Sequence, residues 1–391
     1  MSRVGVAPVA AGWAGDAAPS RLGTGWEASA LLLITTLLLG IGIVSVYSAS
    51  AVMATGRGLA DYHFVVRQAT GAAVGFGLLV VMAFIDYRRL RILAWPILFL
   101  TLAALIVLLV PGAEDMARVR NGAGRWLNLG PVAVQPSEFA KLSLIIWTAA
   151  LAVKKQDRLS SLSRGLLPFL IVWGGVSGLI FLQPSMSAAM LVVLLSALVM
   201  FAAGARIGHF ILLAVAGVPL LWSQVEAAAY RMQRMIAFFD PAQDPAGISY
   251  QINQALIAIG SGGIAGLGFG RGVQKFGFLP EPHNDFLFAM IGEEWGLLGA
   301  ITLISLYTAF ALVGFRIAKQ APDLFGFLLA VGATCLVSVQ ALLHMLINVA
   351  LLPTTGVTLP LLSYGRSSLL VCLIAVGILL NIARRTAEAR E

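Results

Sequence analysis

Ten apolar stretches, each about 20 residues long and so able to cross a hydrocarbon core, divide this chain. They fall near 28–50, 65–85, 92–110, 137–153, 166–182, 186–203, 209–225, 286–313, 324–347 and 361–381. Inside a bilayer every backbone N–H and C=O needs an internal partner, which leaves helices or a closed barrel. Stretches this long and continuously apolar are helices, so the expected fold is an all-α polytopic membrane protein with ten transmembrane helices. With 59% hydrophobic and 11% charged residues and a mean hydropathy of +0.91, a soluble domain is excluded.

The basic residues set the expected orientation. Arg88, Arg89 and Arg91, Lys154, Lys155, Arg158 and Arg164, Arg206, Arg316 and Lys319, and Arg384, Arg385 and Arg390 lie in alternate links. Placing these links in the cytoplasm puts both termini there. Residues 1–27 then read as a flexible tail, 28–383 as the membrane domain and 384–391 as a second tail. The segment at 30–46 is too long for a signal-peptide core and lacks a preceding basic cluster. The net charge of +8 is thus a membrane signal, not one for nucleic acid. Cys335 and Cys372 lie in apolar runs and form no metal or redox motif. The outer face receives loops at 111–136 and 183–185, a large one at about 223–285 between helices 7 and 8, and the link 348–360.

That face holds the unusual chemistry. Four of the 18 acidic residues, Glu281, Asp285, Glu293 and Glu294, flank or enter the eighth apolar run. Ionisable groups at membrane depth are costly and default to function. Asp285 could be a general base, a metal ligand or a helix cap. Glu293 and Glu294 lie roughly 12 Å further along a helix and suit a structural pairing with a buried Arg, Lys or amide. His283 could tune Asp285 or be solvated. A second cluster joins Arg125 and Trp126 to the helix start Gln135-Pro136-Ser137-Glu138 and to Lys141. Free N–H groups at such a start favour anions, which makes Gln135 and Ser137 candidates for substrate binding. Lys141 either pairs with Glu138 at i−3 or, with Arg125, holds a phosphate or diphosphate. Gln183-Pro184-Ser185 resembles a second such start. In the third cluster, Pro353 to Pro360 and Ser363 to Ser368 read as broken helix, with Arg366 as a further cation. The glycine-rich run from Gly260 to Gly270 follows no strand, so it reads as a close-packed or re-entrant segment and not a dinucleotide fingerprint.

Several motifs in this order resemble the SEDS family of bacterial cell-wall polymerases. They are Gly124-Arg125-Trp126-Leu127-Asn128-Leu129-Gly130, Gln135-Pro136-Ser137-Glu138 with Lys141, Tyr250-Gln251 through Gly263, Leu279 to Phe286 with Gly292-Glu293-Glu294, and Leu359-Pro360 with Ser363-Tyr364-Gly365. The likeness covers nearly everything after residue 28. Within the family the chain is more similar to the division branch, FtsW, than to the elongation branch, RodA.

The resemblance implies ten membrane helices and a glycosyltransferase that polymerises lipid II outside the plasma membrane, at the division septum. It places the family's essential acid on Asp285, its Arg-Trp pair on Arg125 and Trp126, and its membrane-edge lysine on Lys141. It leaves room for a divalent cation, Mg or Mn, on Asp285, with no organic cofactor. The expected partners are lipid II, a class B penicillin-binding protein (a transpeptidase) and other divisome membrane proteins. Ser185 stands where the family usually has Asp, Arg366 where Gly is more usual, and the link after Asn348 is several residues short. An elongation polymerase, a lipid-linked precursor flippase and a non-catalytic scaffold that recruits and activates a penicillin-binding protein are the alternatives.

Overall fold

The computed structural model describes residues 25–110, 117–120, 123–130, 132–240, 244 and 247–388. Of the expected tails, residues 1–24 and 389–391 lie outside the described residues, whereas 384–388 belong to the last helix.

Ten helices account for the apolar stretches: α1 (Trp26–Gly56), α2 (His63–Phe84), α3 (Arg88–Val107), α4 (Pro136–Lys154), α5 (Leu167–Leu182), α6 (Met186–Ala202), α7 (Ile207–Glu226), α10 (Leu287–Gln320), α11 (Leu324–Asn348) and α12 (Arg366–Glu388). Among the described residues nine helical segments are long and apolar enough to cross a membrane, and α6 is a shorter apolar tenth. Successive spans alternate in direction, which sorts the links onto two ends. One end is rich in arginine: there Arg88 pairs with Asp323, Arg316 with Glu27 and Arg385 with Asp86. The other carries the large loop.

α4, α11 and α12 are mostly buried and form the centre, whereas α7 stands outside it. Between α2 and α12 close approach depends on small residues, as is usual where no hydrophobic gain separates helix from lipid. A Cβ on Gly75 would meet the Leu373 side chain at 2.4 Å, and one on Gly377 the Leu79 carbonyl at 2.5 Å.

The loop regions hold more structure than their sequences suggest. In place of an irregular loop at 111–136, β1 (Ala117–Arg120), β2 (Ala123–Leu129) and β3 (Val132–Val134) form an antiparallel sheet in that order. Its pairs include Arg118 with Trp126 and Leu127 with Val134. Within 223–285 lie α8 (Ala229–Phe239), α9 (Tyr250–Ser261) and a single turn at Gln274–Phe276.

The two Gln-Pro starts differ. Pro136 occupies the first turn of α4 after the Gln135 cap position, where its missing N–H costs nothing. Pro184 instead precedes the Ser185 cap position of α6, and Gln183 closes α5. The second is a tight turn between helices, so the likeness ends at sequence.

α10 is broken. Gly296 has φ 64° and ψ −159° inside it, a conformation open only to glycine. The helical bonds from Leu297 to Glu293 and from Leu298 to Glu294 are lost there. The glycine-rich segment replaces both: Leu267 and Gly268 donate N–H to the Glu293 and Glu294 carbonyls at 3.0 Å. Leu297 and Leu298 donate to the Gly263 and Ile264 carbonyls at 2.9 and 3.1 Å. Irregular backbone at membrane depth is thereby satisfied by protein.

Candidate functional site

Asp285 lies at the loop end of α10, one residue before the Phe286 cap position. It is therefore placed outside the cap position that a helix-capping aspartate would take. Three successive carbonyls of its segment are gripped from the α11–α12 side. Tyr364 N–H donates to His283 O at 3.0 Å, Ser363 Oγ to Asn284 O at 2.7 Å, and Asn348 Nδ2 to Asp285 O at 3.1 Å. Asn348 Oδ1 also accepts from Ala289 N–H at 3.0 Å, so one side chain spans the start of α10. The Asp285 carboxylate looks toward Gly356, where an added Cβ would stand 3.8 Å from Oδ2.

His283 is fully buried, not solvated. Its ring packs against Phe64 and Tyr364, at centroid distances of 4.9 and 5.4 Å, and those two rings also meet edge-on at 5.3 Å. Asn284 Nδ2 donates to Glu281 Oε2 at 2.8 Å.

The link 349–365 organises this end of the molecule. Besides gripping the Asp285 segment, it is held by Arg234 of α8, which donates to Thr354 O at 3.1 Å. His344 Nδ1 lies 2.7 Å from Val357 O, and Gln340 Nε2 donates to Thr358 O at 3.0 Å. The Tyr307 hydroxyl donates to Pro360 O.

Lys141 is buried on α4 and doubly engaged, with Glu138 at 2.7 Å and Gln340 Oε1 at 2.8 Å. Gln340 in turn reaches Ser368 at 3.3 Å. The Gln135 N–H at the start of α4 donates to Ser367 Oγ at 2.9 Å, and Ser137 is buried beside it. Arg366, at the first residue of α12, packs over Gly71 of α2.

Arg125 projects from β2 onto the α5–α6 turn, donating to Gln183 O at 3.0 Å and to Pro184 O. Burial pulls its guanidinium below the usual arginine value; Tyr230 opposes this and the Arg234 charge adds to it. Trp126 lies next to it on the sheet, partly exposed.

Glu293 and Glu294 lie elsewhere. Glu293 Oε1 accepts from Val273 N–H at 2.7 Å. Glu294 pairs with Lys275 at 3.0 Å and accepts from Ser48 at 2.6 Å. Both fasten the loop to the α10 break, on the side facing α1.

The structure thus brings Asp285, His283, Lys141, Gln135 and Arg366 onto one framework built by the 349–365 link and the start of α12. Arg125 and Trp126 stand on the sheet at the same end, and the two glutamates stand apart. The reading of the sequence missed Gln340, His344 and Asn348, which recur every fourth residue and so line one face of apolar α11. It also missed Arg231 and Arg234 on α8; Arg231 lies over the Phe181 ring at 4.8 Å.

This arrangement has close relatives. The probable peptidoglycan glycosyltransferase FtsW of Trichlorobacter lovleyi is 43% identical over 90% of this chain and 92% of its own. Stage V sporulation protein E of Bacillus subtilis is 38% identical over 90% and 96%. Among solved structures, a chain from a study of how a peptidoglycan synthase complex coordinates polymerization and crosslinking superposes with a TM-score of 0.76. It is 29% identical and covers 93% of this chain and 98% of that one. The rod shape determining protein RodA of Thermus thermophilus gives 0.66 at 28% identity, over 94% and 98%. The family model described as cell cycle protein, which unites FtsW, RodA and SpoVE, matches residues 29–388; the chain belongs to that family.

Proposed function

We propose that this chain is a peptidoglycan glycosyltransferase of the FtsW type, polymerising lipid II into glycan strands for the septal wall at the outer face of the plasma membrane. The end of the bundle carrying the sheet and α8 is then outside, and the arginine-rich end faces the cytoplasm. A class B penicillin-binding protein and other divisome membrane proteins are its partners.

The observation that carries the reading is the threefold backbone grip on His283, Asn284 and Asp285. A carboxylate fixed by its main chain is preorganised for proton transfer without reorganisation at the moment of reaction. Asp285 takes the proton from the C4 hydroxyl of the acceptor sugar. That oxygen attacks the anomeric carbon of the donor, the bond to the diphosphate breaks, and the polyprenyl diphosphate leaves with inversion. Arg125, Arg234 and Arg366 lie at this end to offset the charge that grows on the leaving group. Lys141 is already satisfied by Glu138 and Gln340, so it acts through its field and through the α4 start it steadies.

Among the described residues no three His, Cys, Asp or Glu side chains converge to hold a metal ion unaided. A Mg- or Mn-type ion that keeps its waters and binds substrate phosphates needs as little as one protein carboxylate, and Asp285 suits that limited role.

The test is conversion of lipid II to polymer by purified protein, with and without a class B penicillin-binding protein. Asp285→Asn is expected to lose roughly 10²- to 10⁴-fold, the range of a general base. Undiminished polymerisation would remove Asp285 from that role.

A further inference from the structure

We propose that the end of the bundle opposite Asp285 carries a binding site for an anionic phospholipid, built around Arg91 and Lys154. Arg91 lies in the first turn of α3 and Lys154 is the last residue of α4. Both line a cavity of about 180 Å³ with Ala94, Trp95, Trp147 and Leu151. A second cavity of about 590 Å³ shares Arg91 and is lined by Arg88, Ile92, Phe325 and the Arg88-paired Asp323 among others.

The cavity separates these two cations from ordinary membrane-edge anchors: Arg89 and Lys319 are equally exposed and, among the described residues, equally unbonded, but they line neither cavity. Arg88, Arg316 and Arg385 at this end are tied to Asp323, Glu27 and Asp86. Among the described residues Arg91 and Lys154 make no hydrogen bond or ion pair, and both are exposed. Two like charges facing one cavity repel each other until an anion sits between them. The remaining walls say which anion. Trp95 stands edge-on to buried Trp147 at 5.5 Å and stacks on Phe99 at 5.6 Å. Phe99 and Ile92 are 59% and 80% exposed, on a helix that lies in the membrane. Tryptophan favours headgroup depth, so a phosphate between Arg91 and Lys154 leaves its acyl chains to run along Trp95 and Phe99. A basic pocket between helices at this level is what recognises anionic headgroups. The site is independent of the reaction at Asp285.

The experiment uses delipidated full-length protein in neutral detergent, with phosphatidylglycerol, phosphatidylcholine or inorganic phosphate as the probe. Bound lipid is read by native mass spectrometry and stability by thermal unfolding. Phosphatidylglycerol is expected to bind, to raise the unfolding temperature and to be released by high salt, whereas the other two probes do neither. At about fivefold for each cation removed, Arg91→Gln with Lys154→Gln weakens the lipid about thirtyfold. Arg89→Gln, on the same turn but outside both cavities, leaves it unchanged. Equal retention of phosphatidylcholine, equal stabilisation by inorganic phosphate, or an equal loss in Arg89→Gln would each overturn the site. If the double variant does not fold, Arg91→Gln and Lys154→Gln taken singly should each weaken the lipid about fivefold, and no loss in either would overturn the site.

Discussion

Asn348 holds Asp285 by its main chain: the amide Nδ2 sits 3.1 Å from the Asp285 carbonyl oxygen, and the carboxylate is aimed elsewhere, toward Gly356. The same amide group accepts from Ala289 N–H. Asn348→Leu would strip two groups at the start of α10 of their partner. Leaving buried polar groups unpaired costs about 1–3 kcal/mol each, so the unfolding temperature should fall. Polymerisation should fall further than stability explains, through kcat more than KM, because the base loses its alignment. Steady-state kinetics at a temperature where the variant is folded check this.

Gly356 offers the converse case. An added Cβ would meet nothing closer than the Asp285 carboxylate at 3.8 Å. Gly356→Ala should therefore fold and work. Gly356→Leu should fold but cover the carboxylate, abolishing polymer formation with little change in thermal unfolding.

Lys141 is buried and pairs with the nearly buried Glu138, whose side chain is 12% exposed. Breaking such a pair from one side typically costs 3–5 kcal/mol, whereas replacing both partners with apolar residues of similar size is often neutral. Lys141→Met should therefore destabilise strongly and Lys141→Met with Glu138→Leu should recover much of the loss. If the double variant is stable and still polymerises lipid II, Lys141 is a structural residue alone. Stability without activity would place its charge in the reaction.

At the opposite end, Asp323 caps α11, accepting from Gly326 N–H at 2.8 Å and from the Tyr87 hydroxyl at 2.6 Å. Burial raises its carboxyl, but the hydrogen bonds from Tyr87 and Gly326 and the pairing with Arg88 outweigh this and hold it below the usual value. A depressed carboxylate stabilises the fold above its unfolded pKa of about 3.9 and loses that contribution as the pH drops through the folded value. Asp323→Ala should lower the unfolding temperature at neutral pH, by an amount near the ~1 kcal/mol of a lost cap. It should also flatten the acid limb of the unfolding-temperature profile.

Ten spans were legible in the sequence because twenty-residue apolar runs have few competing interpretations. The sheet was not: Trp126-Leu127-Asn128-Leu129 alternates for too few residues to announce a strand, and Arg-Trp beside a membrane reads equally well as an interfacial anchor. Asp285 stood out because a carboxylate at the mouth of an apolar run is costly. Its supports did not, because Asn348 lies 63 residues from Asp285 and Ser363 lies 79 residues from Asn284 along the chain. They are also neutral polar side chains, which raise little alarm in hydrophobic surroundings. The spacing of Gln340, His344 and Asn348 carried the signal, but periodicity among amides is faint beside charge. The break in α10 had a visible cause in the glycines, but which glycine kinks and which segment fills the gap depends on tertiary contact.

That break makes part of the large loop behave as helix core. Surface loops ordinarily tolerate inserted or deleted residues. Between Gly263 and Gly268 the chain supplies both halves of two severed helical hydrogen bonds, and at Gly266 an added Cβ would strike the Glu294 carbonyl at 2.1 Å. A single residue gained or lost there would put every donor opposite the wrong acceptor and unseat the short helical stub that follows Asp285. Length variation in the large loop should therefore be confined to the stretch around α8 and to the turn leading into α9, with the six residues at the break fixed in number.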